Sequence, residues 1–224
     1  MRNIFLWIID YLYLMIGQLQ MIVYANPPKN YSKSMQGKIP IIILPGILEK
    51  WSFMKSLTDT LSLKGYPIYI VSELKYNLYD IPKSAKIIKD FMTKKGLSNA
   101  IFICHSKGGL IGKYFLIHEN SDNRIKKIIA ISTPFSGSAS AKLIPHRAYK
   151  ELNNESKAIK DLLINDIENK KIVSIYPEFD NHIWSKNGSY LEGAKNIQIK
   201  VSGHHKILFT KETINTVIKE AEEL

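Results

Sequence analysis

The sequence predicts a three-layer α/β/α sandwich on a mainly parallel sheet of about six strands, with an apolar helix added at the N-terminus. Two observations lead there. Short runs rich in Ile and Val alternate with segments of helical periodicity, as βαβ units do. Those runs are apolar at consecutive positions, the pattern of strands buried on both faces. With 224 residues, 45% of them hydrophobic and 23% charged, the chain has enough apolar mass for one sizeable core.

The first element is 4–25, "IFLWIIDYLYLMIGQLQMIVYA", long enough to cross a bilayer. Asp10, Tyr13, Gly17, Gln20 and Tyr24 recur at spacings of three and four, drawing a polar stripe along one helical face. A cleaved signal should carry neither Asp nor two Gln in its apolar region. A single-span anchor fits the length and an in-plane amphipathic helix fits the stripe. Membrane association through 4–25 is therefore expected, the alternative being a helix packed by its apolar face on the domain. The turn-rich stretch 26–34, "NPPKNYSKS", reads as a linker. Residues 1–38 thus form an attachment and residues 39–224 the α/β domain.

Strands are expected at 39–44, 66–71, 100–104, 127–131, 172–176 and 197–201. Between them, Trp51, Met54, Leu57 and Leu61 share a helical face that Gly65 ends. Asp80 caps a helix carrying Ala85, Ile88 and Phe91 inward, stopped by Gly96. A helix over 107–119 follows the third strand. One helix is expected within 149–163, and Thr210 caps the last, which presents Ile214, Val217, Ile218 and Ala221.

The net charge of +11 comes from 31 Lys and Arg against 20 Asp and Glu. The lysines are scattered with no basic helix or aromatic-interleaved patch, which argues against nucleic acid and favours attraction to an anionic membrane surface. The single cysteine, Cys104, excludes an internal disulfide and any cysteine zinc cluster.

The chemistry centres on "IFICHSKGGL", where a strand stops at Ser106 and a glycine-rich turn opens a helix. A nucleophile elbow needs small residues two before and two after its serine, because strand and helix approach closely around a strained backbone. Cys104 and Gly108 occupy those places, and Gly109 adds room. A phosphate-binding loop is excluded by its spacing, whereas a serine N-cap on a tight turn stays open. A nucleophilic serine needs a histidine base and a carboxylate to orient it. His204 and His205 follow the last strand, where the base belongs. Glu178 and Asp180 both lie in "YPEFDNHIW" after the preceding strand, Asp180 being better placed because the strand must end and turn first. The backbone amides of Lys107 and of Ile47, next to Gly46, are the expected oxyanion donors.

"LPGIL", "CHSKGG", "ISTPFSGS", "SIYPEFD" and "LEGAKNIQIKVSGHHKIL" together resemble the lipase/esterase branch of the α/β-hydrolase superfamily, nearest to small lidless bacterial lipases of the lipase A type. The resemblance covers about residues 39–224 and is densest from Ser174 onward. It implies Asp180 rather than Glu178 as the acid, His204 rather than His205 as the base, and Ile47 as an oxyanion donor. It further implies hydrolysis of carboxylic esters, acyl lipids in particular, through an acyl-enzyme with no metal or cofactor. Pro45 stands where these lipases usually have His, and Cys104 where they have Ala or Gly. An acyltransferase passing the same acyl group to an alcohol, or a non-catalytic scaffold on this fold, are the alternatives.

Overall fold

The computed structural model describes residues 2–33, 35–185 and 188–223; Ser34, at the end of the expected linker, lies outside them. Six strands form one parallel sheet: β1 (Ile41–Leu44), β2 (Ile68–Ile70), β3 (Ala100–His105), β4 (Ile125–Ile131), β5 (Ile172–Phe179) and β6 (Lys195–Ser202). Their order is β2-β1-β3-β4-β5-β6. The helices are α1 (Arg2–Val23), α2 (Lys55–Leu63), α3 (Ile81–Lys95), α4 (Lys107–His118), α5 (Arg147–Lys150), α6 (Lys157–Ile164) and α7 (Lys211–Glu222).

Alternation along each strand explains the two cores. Ile42, Leu44, Phe102 and Cys104 point to the layer holding α3, α4 and α6. Ile41, Ile43, Ile101 and Ile103 point to the opposite layer, with α2 and α7. All eight are fully buried, each large one contributing roughly 1.5–3 kcal/mol of apolar transfer. The helix ends follow their sequence signals. Asp80 Oδ1 accepts from the Lys83 amide at 2.8 Å, and Gly96 closes α3 at φ +62°.

Two expectations change. The helix foreseen within 149–163 is the shorter α6, separate from the turn of α5, because Ser156 donates to Glu151 O and then caps α6 by accepting from the Ile159 amide. The expected linker is packed rather than free. Tyr31 is buried, its hydroxyl bonds Asp59, and its carbonyl accepts from the Ile68 amide at 2.7 Å.

Helix α1 packs on the domain by the face that carries Asp10 and Gly17, the reverse of the apolar-face packing given as the alternative. Of the stripe, Asp10 and Gly17 are buried, Tyr13 and Gln20 are half-buried and Tyr24 is exposed; Met21, beside the stripe, is buried too. Gly17 is required there, since a Cβ would sit 2.3 Å from the Phe53 ring. The apolar side chains Ile4, Ile8, Leu12, Met15, Leu19 and Ile22 lie at helical spacing on the outer face, each between 53% and 76% exposed.

Candidate active site

Ser106 stands between β3 and α4 at the carboxyl end of the sheet, where ligands bind in open α/β folds. Its backbone is at φ 48°, ψ −119°, a strained conformation for a side-chain-bearing residue. The crossing is as close as the sequence requires. A Cβ on Gly108 would meet Leu44 O at 2.1 Å, and one on Gly109 would meet Thr133 Oγ1 at 2.0 Å. Cys104 lies fully buried two residues before the serine.

The two adjacent histidines separate by their partners. Nδ1 of His204 lies 2.8 Å from Oδ2 of Asp180. The other Asp180 oxygen accepts from the amides of His182 and Ile183 at 2.8 and 2.9 Å, fixing the carboxylate plane. Burial pushes Asp180 up, but His204 and these two amides outweigh it and hold the carboxyl below its ordinary range. Burial likewise presses His204 down, and Asp180 more than reverses that, raising it. Glu178 is exposed on β5 and has no place in this arrangement. His205 turns the other way and sets Nδ1 2.9 Å from Oδ2 of Asp10.

The loop after β1 comes to the same place. Gly46 donates to Glu49 Oε2 at 2.7 Å, and Leu48 adopts φ 61°. Among the described residues the Ile47 amide has no hydrogen-bond partner. The Lys107 amide opens α4, where helices leave their first N–H groups unpaired. The Lys107 side chain runs under this loop to Asn77 O and Tyr79 O at 3.2 and 2.5 Å. Asn77 in turn donates to Pro45 O at 2.7 Å. The elbow lysine thus braces the segment that supports the loop after β1.

Ser106, Ile47 and His204 line one cavity of about 400 Å³. Trp7 and Tyr11 of α1 close part of its wall, with ring centroids 6.1 Å from Trp184 and 5.6 Å from His182. His118 packs on Tyr114 and His146 caps α5; neither lines the cavity.

Three participants have no counterpart in the sequence reading. Glu49 is buried, and His105 Nδ1 lies 2.9 Å from its carboxylate while His105 Nε2 faces His204 O at 3.2 Å. This links the loop after β1 to the histidine loop behind the serine. Asp10 is the third. Its Oδ1 accepts from the amides of His205 and Lys206 at 2.8 and 2.9 Å, so α1 grips the loop that carries His204. A Cβ on Gly203 would sit 2.5 Å from that oxygen, which is why glycine precedes the pair of histidines.

Solved structures share this architecture. Lipase BlEst2 of Bacillus licheniformis in mature form is 16% identical at a TM-score of 0.68, over 88% of this chain and 96% of that one. The chain has an α/β-hydrolase fold. An extracellular α/β-hydrolase from a Paenibacillus species is 15% identical at 0.56, over 81% and 98%. A structure from a study of carboxylesterases of the thaumarchaeon Nitrososphaera gargenis is 10% identical at 0.60, over 83% and 90%. No family model and no curated protein matches the sequence.

Proposed function

We propose that the chain is a serine hydrolase of carboxylic esters, acyl lipids in particular, working through an acyl-enzyme. The carrying observation is the Asp180–His204 pair at 2.8 Å, opening on the same cavity as the strained Ser106. In this reading Ser106 Oγ attacks the acyl carbonyl while His204 Nε2 takes its proton. Asp180 holds the imidazole tautomer through Nδ1. The Ile47 and Lys107 amides receive the oxyanion, each donor worth about 2.7–4 kcal/mol of transition-state stabilisation. His204 then returns the proton to the departing alcohol. Water, activated by the same imidazole, releases the acid and restores the serine. The lipase and carboxylesterase neighbours support ester hydrolysis on this fold.

We read α1 as lying in the plane of a membrane surface rather than across it. Asp10, at its middle, is fully buried among loop amides, and drawing it into hydrocarbon costs on the order of 2.5–3.5 kcal/mol besides those bonds. The outward apolar face and the net charge of +11 suit an anionic lipid surface. Trp7 and Tyr11 then set the lipid-facing helix against the acyl cavity itself.

The test is fluorophosphonate labelling of wild type and Ser106→Ala beside a p-nitrophenyl ester series of rising chain length. Wild type labels and turns over esters, and the alanine variant does neither. An unlabelled wild type, or an alanine variant of full activity, overturns the assignment.

A further inference from the structure

Three side chains that the proposed reaction does not use converge beneath α1. Asp10, His182 and His205 each place one donor atom within 4.8 Å of the other two. Oδ2 of Asp10 lies 2.9 Å from Nδ1 of His205 and 3.8 Å from Nε2 of His182. That Nε2 is buried and, among the described residues, makes no hydrogen bond. A buried ring nitrogen facing a carboxylate it does not reach is a position that a ligand completes.

We propose that Asp10, His182 and His205 form a binding site for a borderline divalent transition-metal ion, zinc being the best match, which fastens α1 to the loops after β5 and β6. Two imidazoles and one carboxylate select zinc, cobalt or nickel over the all-oxygen ions calcium and magnesium. A tetrahedral ion with bonds of about 2.1 Å sets its ligand atoms roughly 3.4 Å apart. The separations of 2.9 and 3.8 Å straddle that value, so small side-chain movements suffice. Water takes the fourth position, since both histidines line the cavity.

The surroundings favour a cation. Asp10 has its orientation fixed through Oδ1 by the two loop amides, leaving Oδ2 for the ion. Buried Glu49 and partly buried Asp180 add negative charge nearby. Binding through Nδ1 requires the other tautomer of His205, so the ring proton now directed at Asp10 moves to Nε2 and the imidazole stays neutral as the metal takes the Nδ1 lone pair.

The experiment uses the full chain, carrying Ser106→Ala so that turnover plays no part, stripped with EDTA and titrated with Zn²⁺ and Co²⁺ at about pH 7.5. One equivalent of zinc binds, raises the Tm by about 5 °C at saturation, and cobalt gives the visible bands of a tetrahedral site. Adding His182→Ala weakens zinc binding at least about tenfold and abolishes those bands. No uptake below about 100 µM zinc, or equal affinity in the His182→Ala protein, overturns the site. Should that variant not fold, the cobalt spectrum of the parent decides: tetrahedral bands support the site, and their absence overturns it.

Discussion

Gly108 and Leu44 approach so closely that a Cβ on the glycine would lie 2.1 Å from the leucine carbonyl oxygen. The obstacle is backbone, so no side chain can rotate away. Gly108→Ala must therefore push β1 and α4 apart at the elbow, at a cost of about 1–3 kcal/mol or more. For a chain of this length that lowers the Tm by roughly 2–12 °C. Gly112, one turn further along α4, meets only the Ile128 and Cys104 side chains at 3.1 and 3.3 Å. Gly112→Ala should be close to neutral by the same melts. Equal losses in the two variants would show that the elbow crossing is not the tight point.

Asp180→Asn keeps an oxygen for the His182 and Ile183 amides, so the loop should hold while His204 loses its negative partner. The expected result is an unchanged Tm within a few degrees and a fall in kcat of about 10³–10⁴-fold on a short p-nitrophenyl ester. Glu178→Gln, on an exposed side chain, should leave kcat at the wild-type value. A large loss from Glu178→Gln with Asp180→Asn active would reverse the choice of acid.

Helix α1 has two faces whose roles should come apart. Asp10→Ala strands two amides and an imidazole, a loss of about 3–5 kcal/mol of stability in urea unfolding with EDTA present. The triple change Leu12→Ser, Met15→Ser, Leu19→Ser touches only exposed positions and should shift stability by less than about 1 kcal/mol. It should nevertheless reduce binding to anionic vesicles by tenfold or more, each buried apolar side chain being worth roughly 1.5–3 kcal/mol. Undiminished vesicle binding would rule out the outward face as the lipid contact.

Much of the fold was legible because a parallel sheet buried on both faces writes itself as short apolar runs rich in Ile, as in Ile41–Leu44 and most of Ala100–His105. Ser106 was legible because its constraint is local, small residues at fixed offsets around a turn. The histidine was narrowed to two by position. Its pairing with Asp180 depends on which way each ring turns, and spacing along the chain does not carry that. Asp10 was misleading for a physical reason. In an apolar helix a carboxylate reads as a penalty on insertion, whereas its partners lie at the far end of the chain and on no sequence pattern. The same separation hides the grouping of Asp10 with His182 and His205.

Lys107 offers a test by pH. Its ammonium is fully buried, and burial, only partly offset by Glu151 and Asp80, lowers it to about 8. The unfolded value is near 10.4. Between those values the unfolded chain holds the proton more tightly than the folded one, so the Lys107 contribution to stability rises with pH. Below about pH 8 the full cost of the buried charge is present, and above the unfolded value it is gone. Lys107→Met removes the charge along with the bonds to Asn77 O and Tyr79 O, and keeps the backbone amide. Relative to this variant, wild type should gain up to about 3 kcal/mol between pH 8 and 10.5, read from paired urea titrations. A difference that stays constant across that interval would mean the lysine keeps an ordinary affinity for its proton inside the elbow.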